Sequence, residues 1–245
     1  MARVLVAMAS LLRVAPLIVG GFLTAAFAQT GPAGHWEGTL QVPDRELQIA
    51  VDLAKDDKGA WIGTFSQTAP NPMKVPLADI KVDDKGAKFR IAVGGANGPS
   101  FDCVLEDPKA MRCTLTTPGG SLTSAMKRTG EAKVDLPKAS PAVSPELEGD
   151  WEGTVDTPNG PLRLVVHFKN QPDKTVKATM DSLDQNSMDL PLTDILQKGS
   201  AVEFQLKLAG GAYKGTLNKE ATQLVGEWSQ GGASLPLTLK KSPSK

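Results

Sequence analysis

Apolar and polar residues alternate with a period of two along much of the chain. The alternation runs from Glu46 to Leu53 and returns at Leu162–Phe168, Phe89–Val93 and Phe204–Leu208. A period of two places successive side chains on opposite faces of a strand, so the pattern predicts half-buried β-strands. Turn sequences that end in glycine, such as Asp56-Asp57-Lys58-Gly59, separate these segments and predict hairpins.

An internal repeat divides the sequence into two similar halves. Trp36-Glu37-Gly38-Thr39 returns 115 residues later as Trp151-Glu152-Gly153-Thr154, and Val75–Ile80 returns as Leu190–Ile195 at the same offset. The offset then falls to 112 and 113 after a short deletion. A repeat of this length predicts two copies of one structural module.

The repeat gives two modules, residues 34–128 and 149–241, each with about eight predicted short strands. Residues 129–148 carry three prolines among Ala, Ser and Lys and predict a semi-extended linker. The predicted fold class is therefore all-β, with two tandem antiparallel meander barrels. Closing a meander into a barrel leaves no edge strand open to aggregation.

The first 28 residues have the pattern of a secretory signal peptide. Basic Arg3 and Arg13 accompany the apolar run Val14–Ala25, and Ala26-Phe27-Ala28 precedes polar Gln29. The alternative, an anchor helix, needs roughly 20 apolar residues. The sequence predicts cleavage after Ala28 and a mature protein in the periplasm or outside the cell, with no membrane span.

Charge and composition exclude some classes of function. The chain has 27 basic and 27 acidic side chains, so no charge excess favours nucleic acid or anionic lipid. Only two histidines, His35 and His167, are present; they lie in different modules and are expected to be surface side chains. No cluster of His, Cys and acidic residues predicts a metal site, and no cofactor is expected.

The sequence carries no recognisable catalytic motif. The Gly-x-Ser-x-Gly nucleophile elbow is missing, and Ser124-Ala125-Met126-Lys127 matches Ser-x-x-Lys only formally. On the predicted closing strand, an odd spacing sends Ser124 and Lys127 to opposite faces. A non-catalytic protein is expected.

The two cysteines predict a disulfide. Cys103 and Cys113 flank the turn sequence Glu106-Asp107-Pro108-Lys109, so a hairpin would place them opposite each other. An exported chain meets oxidising conditions. The second module has Gly215 and Gly226 at the matching places, and two buried free thiols are the alternative.

Inward aromatic residues of the second module are candidates for a ligand pocket. Trp151, Tyr213 and Trp228 are interleaved with glycines, either to fill the core or to line a cavity. The second module has Val176 and Met180 where the first has Trp61 and Phe65, and it has glycines in place of the cysteines. These smaller or more flexible residues favour a cavity in the second module, if one exists.

A polar loop provides the remaining candidate contacts. Ser182, Asp184 and Gln185 lie in the most polar loop of the second module and could contact a ligand or a partner. The alternative is a loop that satisfies its own backbone.

Two resemblances bear on function. Trp151–Phe168, followed by Asp181-Ser182-Leu183-Asp184-Gln185, resembles a bacterial β-rich accessory domain found N-terminal to α/β-hydrolase or serine β-lactamase-like domains. That resemblance implies a non-catalytic role. Gly34-x-Trp36 and Gly149-x-Trp151 are similar to the start of calycin-type barrels, as in lipocalins and avidins.

The sequence therefore predicts an exported, non-catalytic binding or accessory protein. Its expected partner is a small apolar ligand or an envelope hydrolase that it assists. The alternative is a periplasmic hydrolase inhibitor or envelope interaction partner that acts through loops such as Ser182–Asn186.

Overall fold

The first barrel is a closed antiparallel meander of eight strands. The computed structural model describes residues 31–69 and 72–243, so the predicted signal peptide, residues 1–28, lies outside the described residues. Strand β8 pairs with β1 and closes the barrel, with Trp36 opposite Arg128. The strands are β1 (Gly34–Val42), β2 (Arg45–Lys55), β3 (Trp61–Ala69), β4 (Met73–Asp83), β5 (Gly86–Ile91), β6 (Ser100–Asp107), β7 (Ala110–Thr117) and β8 (Gly120–Gly130).

The second barrel repeats this order and is nearly closed. Its sheet runs β13-β12-β11-β10-β18-β17-β16-β15-β14, and the chain itself joins β13 to β14. The pair β13 and β14 corresponds to the single strand β4. The strands are β10 (Gly149–Thr157), β11 (Gly160–Asn170), β12 (Thr175–Ser182), β13 (Ser187–Pro191), β14 (Thr193–Lys198), β15 (Ala201–Leu206), β16 (Gly211–Leu217), β17 (Gln223–Gln230) and β18 (Ala233–Lys241). The predicted fold of two tandem all-β barrels is confirmed.

The two barrels share an irregularity in the repeated Pro-Leu-x-Asp-Ile sequence. Asp79 and Asp194 occupy the left-handed region, with φ of 51° and 50°. The pairing register shifts at both places, between Ala78 and Lys81 and between Thr193 and Leu196. A bulge of this kind sharpens the bend that a narrow barrel needs.

One end of each barrel is closed in the same way around the repeated tryptophan. The indole Nε1 of Trp36 donates to the carbonyl of Pro32, and that of Trp151 to the carbonyl of Leu147, both at 2.8 Å. A cation covers each ring, with the Arg128 guanidinium 4.6 Å and the Lys241 ammonium 5.5 Å from the ring centroids. Both tryptophans are fully buried.

Parts of the predicted linker, residues 129–148, contact one barrel or the other. Residues 140–148 belong to the second barrel, where Leu147 is fully buried and Val143 exchanges two hydrogen bonds of 3.0 Å with Asn170. A short strand, β9 (Ser140–Pro141), pairs with β12. Nearer the first barrel, the Lys133 amide donates to Asp52 at 2.7 Å. Between these anchors, residues 135–139 are all exposed.

The disulfide and a tyrosine fill equivalent space in the two barrels. Cys103 and Cys113 lie opposite each other on β6 and β7 and form the predicted disulfide inside the first barrel. In the second barrel, a Cβ at Gly215 would lie only 2.4 Å from the Tyr213 hydroxyl. Gly215 therefore does not open a cavity, contrary to the sequence argument, because the Tyr213 ring occupies its space.

The two barrels touch beside the loop between β12 and β13. The Gly94 amide of the first barrel donates to the Met188 carbonyl at 3.0 Å. Leu208, in the short 3₁₀ turn Lys207–Ala209, packs against the cores of both barrels.

Candidate functional site

A cavity opens at one end of the second barrel. Its volume is about 260 Å³, and the end opposite to it is closed by residues 143–147. Hairpin ends of the barrel surround its mouth. The apolar lining residues are Val155, Pro158, Leu162, Leu164, Met180, Leu190, Leu206, Ala209, Trp228, Ala233 and Leu235, and the polar ones are Thr157, Ser182, Gln185 and Gln230.

The structure brings three of the six candidate ligand-binding residues to this cavity. Trp228, Ser182 and Gln185 line it. Trp151 and Tyr213 are fully buried in the core and do not line it, so their part is to fill the barrel. Asp184 also lies outside the lining.

One wall of the cavity carries a methionine where the first barrel has a phenylalanine. Met180 lines the cavity and pairs with Val166, just as Phe65 pairs with Val51 in the first barrel. Phe65 lies 5.7 Å from Phe101, ring centroid to ring centroid, inside the first barrel. A narrow methionine leaves the space that the phenylalanine ring takes. Val176, by contrast, is absent from the lining and adds nothing to the cavity.

Trp228 is held in one orientation by a chain of hydrogen bonds. Its Nε1 donates to Gln230 Oε1 at 3.1 Å, and Gln230 Nε2 donates to the Ala209 carbonyl at 2.9 Å. A Cβ at Gly211 would lie 2.2 Å from the indole ring, so only glycine fits beneath it. Sequence reasoning missed Gln230, although its position two residues after Trp228 on one strand face could have indicated it.

The loop between β12 and β13 forms part of the mouth and is anchored at both ends. Arg163 donates to both carboxylate oxygens of Asp184, at 2.7 Å from Nη2 to Oδ1 and at 2.7 Å from its amide to Oδ2. These hydrogen bonds hold the pKa of Asp184 below its ordinary value. At the other end, Asp181 Oδ1 accepts from the Asp189 amide at 2.7 Å. The mouth loop is therefore fixed before any ligand arrives, which favours binding.

The two histidines belong to equivalent His–Asp pairs with the residues exchanged. His35 on β1 contacts Asp52 on β2 at 2.8 Å, and Asp150 on β10 contacts His167 on β11 at 2.7 Å. His35 corresponds to Asp150 and Asp52 to His167 at the repeat offset of 115.

His167 lies between two carboxylates. Its second ring nitrogen, Nε2, is 3.1 Å from Asp181 Oδ2. Burial lowers the pKa of His167, but the hydrogen bonds and charges of Asp150 and Asp181 outweigh burial, so the pKa lies above its ordinary value. Both ring nitrogens are engaged, which is a stabilising arrangement and leaves neither free to act as a base.

The remaining sequence candidates for chemistry do not assemble into a site. Ser124 is buried and Lys127 exposed on alternate faces of β8. The carboxylates of two hairpin turns, Asp56 and Asp83, are engaged by backbone amides of their own turns, as in the 2.8 Å bond from the Ala60 amide to Asp56. Within residues 31–69 and 72–243, no group of three or more His, Cys, Asp and Glu side chains could hold a metal ion. No helix in this part of the chain has the length and apolar character to cross a membrane.

Comparisons with known proteins identify no family. No family model matches the chain, and no curated protein is similar to it. A protein of unknown function of the DUF3598 family from Nostoc punctiforme is 11% identical over 86% of this chain and 96% of its own, with a TM-score of 0.27. A candidate outer membrane protein from Bacteroides fragilis is 14% identical over 86% and 97%, with a TM-score of 0.27. MucB, solved in complex with MucA, is 7% identical over 88% and 90%, with a TM-score of 0.22. These overlaps carry no argument about function.

Proposed function

We propose that the protein is an exported, non-catalytic binding protein whose second barrel holds a small apolar ligand. The observation that carries this proposal is the cavity of about 260 Å³ with apolar walls and a polar mouth. Ligand sites have this character, with a few polar groups that fix orientation. A cavity of roughly 150 Å³ accepts benzene, so this one suits a ligand of about ten to twelve non-hydrogen atoms.

A filling substitution at Met180 tests the proposal. The mature chain is titrated with 1-aminonaphthalene, a neutral fluorophore of suitable size whose emission shifts to the blue in apolar surroundings. We expect saturable binding to the wild type. Met180→Phe installs the residue of the first barrel and should weaken binding at least about tenfold by removing the space.

Met180→Leu is the matched control, because it conserves volume and should bind like the wild type. Thermal unfolding of all three proteins checks that each is folded. Undetectable binding to the wild type, or equal binding to Met180→Phe, would overturn the proposed function.

A second candidate function is an interaction with an envelope hydrolase through the same loop. Leu183 and Met188 favour it, since 39% and 41% of their surfaces are exposed beside the mouth. Such apolar side chains are enriched at the cores of interfaces. The test is copurification from the native envelope of the wild type and of Leu183→Ser/Met188→Ser. A stoichiometric hydrolase lost only from the variant supports this candidate, and an equal yield from both proteins contradicts it.

A further inference from the structure

We infer that the ligand of the second barrel is uncharged and carries a hydrogen-bond acceptor, such as a carbonyl group, that Gln185 recognises. The inference rests on the proposed function and names the chemical class of its ligand. It follows from the charges and the unused polar groups of the residues that line the cavity.

The cavity offers no charge to a ligand. Every lining residue is uncharged. Arg163, on β11 beside the mouth loop, is already committed to Asp184 through its Nε and Nη2 groups. Taking an ionised carboxylate or ammonium out of water into such a site costs several kcal/mol with nothing to repay it. A charged group is therefore disfavoured against the apolar walls of the cavity.

Most polar groups of the lining side chains already have hydrogen-bond partners within the protein. Thr157 Oγ1 donates to the Gly160 carbonyl at 2.7 Å, and Ser182 Oγ donates to Gln185 Oε1 at 2.8 Å. Gln230 uses its oxygen for Trp228 and its nitrogen for Ala209. The donor atoms of these three side chains are thus all engaged, although Gln230 Nε2 keeps a second N–H.

Gln185 is the exception. Ser182 engages and orients its amide oxygen, while its Nε2 makes no side-chain hydrogen bond to any residue of the described chain. Gln185 follows β12 in the 3₁₀ turn Leu183–Gln185 at the mouth. A ligand that buries its apolar body below can present an acceptor to this amide, which is a pure donor at Nε2.

The test compares four ligands that share one phenylalkyl skeleton and differ in polar group. They are 4-phenyl-2-butanone, butylbenzene, 3-phenylpropanoate and 3-phenylpropylammonium, each titrated against bound 1-aminonaphthalene. We expect the ketone to bind about three- to tenfold more tightly than the hydrocarbon, the gain of one neutral hydrogen bond. The two ions should bind at least about tenfold more weakly than the ketone.

Gln185→Leu removes the donor and keeps the side-chain size. In this variant the ketone should lose its advantage while butylbenzene binds as before. Gln171→Leu, in the turn between β11 and β12 at the other end of the barrel, is the matched control and should behave like the wild type.

Each other result decides against the inference. An ion that binds as well as the ketone, or a ketone preference that survives in Gln185→Leu, overturns the ligand class while the proposed function stands. If the fluorophore binds but none of the four ligands displaces it, the ligand class is likewise overturned and the proposed function stands. Failure of the fluorophore itself to bind overturns the proposed function and the ligand class with it.

Discussion

Both barrels have a His–Asp pair between their first two strands, but the two residue types have changed places. His35 and Asp150 are equivalent, and so are Asp52 and His167, yet each barrel joins its first two strands by one imidazole and one carboxylate. A comparison position by position finds no matching histidine. Only the antiparallel register, with His35 opposite Asp52 and Asp150 opposite His167, reveals the exchange.

The setting of His167 predicts a pH dependence of stability. The pKa of His167 is raised in the folded state by Asp150 and Asp181, against an unfolded value of about 6.5. Protonated His167 therefore contributes stability that is fully present below about pH 6.5 and is lost as pH rises through the folded pKa. Compared with His167→Gln in urea denaturation, the wild type should have a larger advantage at about pH 5.5 than at about pH 8.5.

Asp150→Asn provides the control for this effect. It removes one of the two carboxylates, so it should reduce the pH dependence without abolishing it. An advantage of the wild type that stays constant from acid to alkaline pH would show that the His167 charge has no part in stability.

At the scale of secondary structure elements, the alternation of apolar residues predicts most strands but not their interruptions. The continuous strand β4 and the divided pair β13 and β14 come from related sequences, which share the Pro-Leu-x-Asp-Ile segment. The left-handed conformation of Asp79 and Asp194 gives no signal in a pattern of period two. Bulges depend on the curvature of the closed sheet, which is a tertiary property.

The predicted linker shows a second limit. Prolines and small residues in 129–148 are typical of an extended segment, but residues 145–147 form a turn in which the Leu147 amide donates to the Ser144 carbonyl at 3.0 Å. What composition cannot show is that Val143 and Leu147 find buried places against the second barrel. Two apolar residues spaced four apart are too few to mark a periodic element.

Leu147 should be essential to the second barrel. Because its side chain is fully buried, Leu147→Ala should lower the free energy of unfolding by about 2–5 kcal/mol. Leu136→Ala, at a side chain that is 37% exposed, is the control and should change it by less than about 0.5 kcal/mol. Urea denaturation of both variants measures the difference. Equal stability of Leu147→Ala and Leu136→Ala would show that residues 140–148 are not part of the second barrel.

At the scale of the whole molecule, the repeat and the strand pattern are enough to predict two barrels, whereas the site depends on packing. The sequence comparison pointed to the second barrel through Met180, and that residue does line the cavity. It also pointed to Gly215, whose space Tyr213 fills, and to Trp151, which closes the opposite end. Residue types indicate the size of each side chain. Which side chain fills a given space depends on ring orientations, and these follow only from three-dimensional packing.

The short exposed connection between the barrels predicts the first site of proteolysis. Residues 137–139 are exposed, and the segments on either side are anchored to their own barrels. Limited trypsin digestion should therefore cut first after Lys138 and leave two β-rich fragments. Lys138→Gln should slow this cleavage. A first cut within residues 34–130 or 149–241 would contradict the assignment of two separately folded barrels.

The meander order also determines when the cavity of the second barrel forms during synthesis of the chain. Apart from the short strand β9, which pairs with β12, every strand pair is formed by neighbours along the chain except the two closing pairs, β1 with β8 and β10 with β18. The first barrel can close once residue 130 has emerged, while the second is still incomplete. Ala233 and Leu235, on the closing strand β18, are the last part of the cavity wall to appear. Under the proposed function, a ligand could be enclosed only after β18 has joined the second barrel.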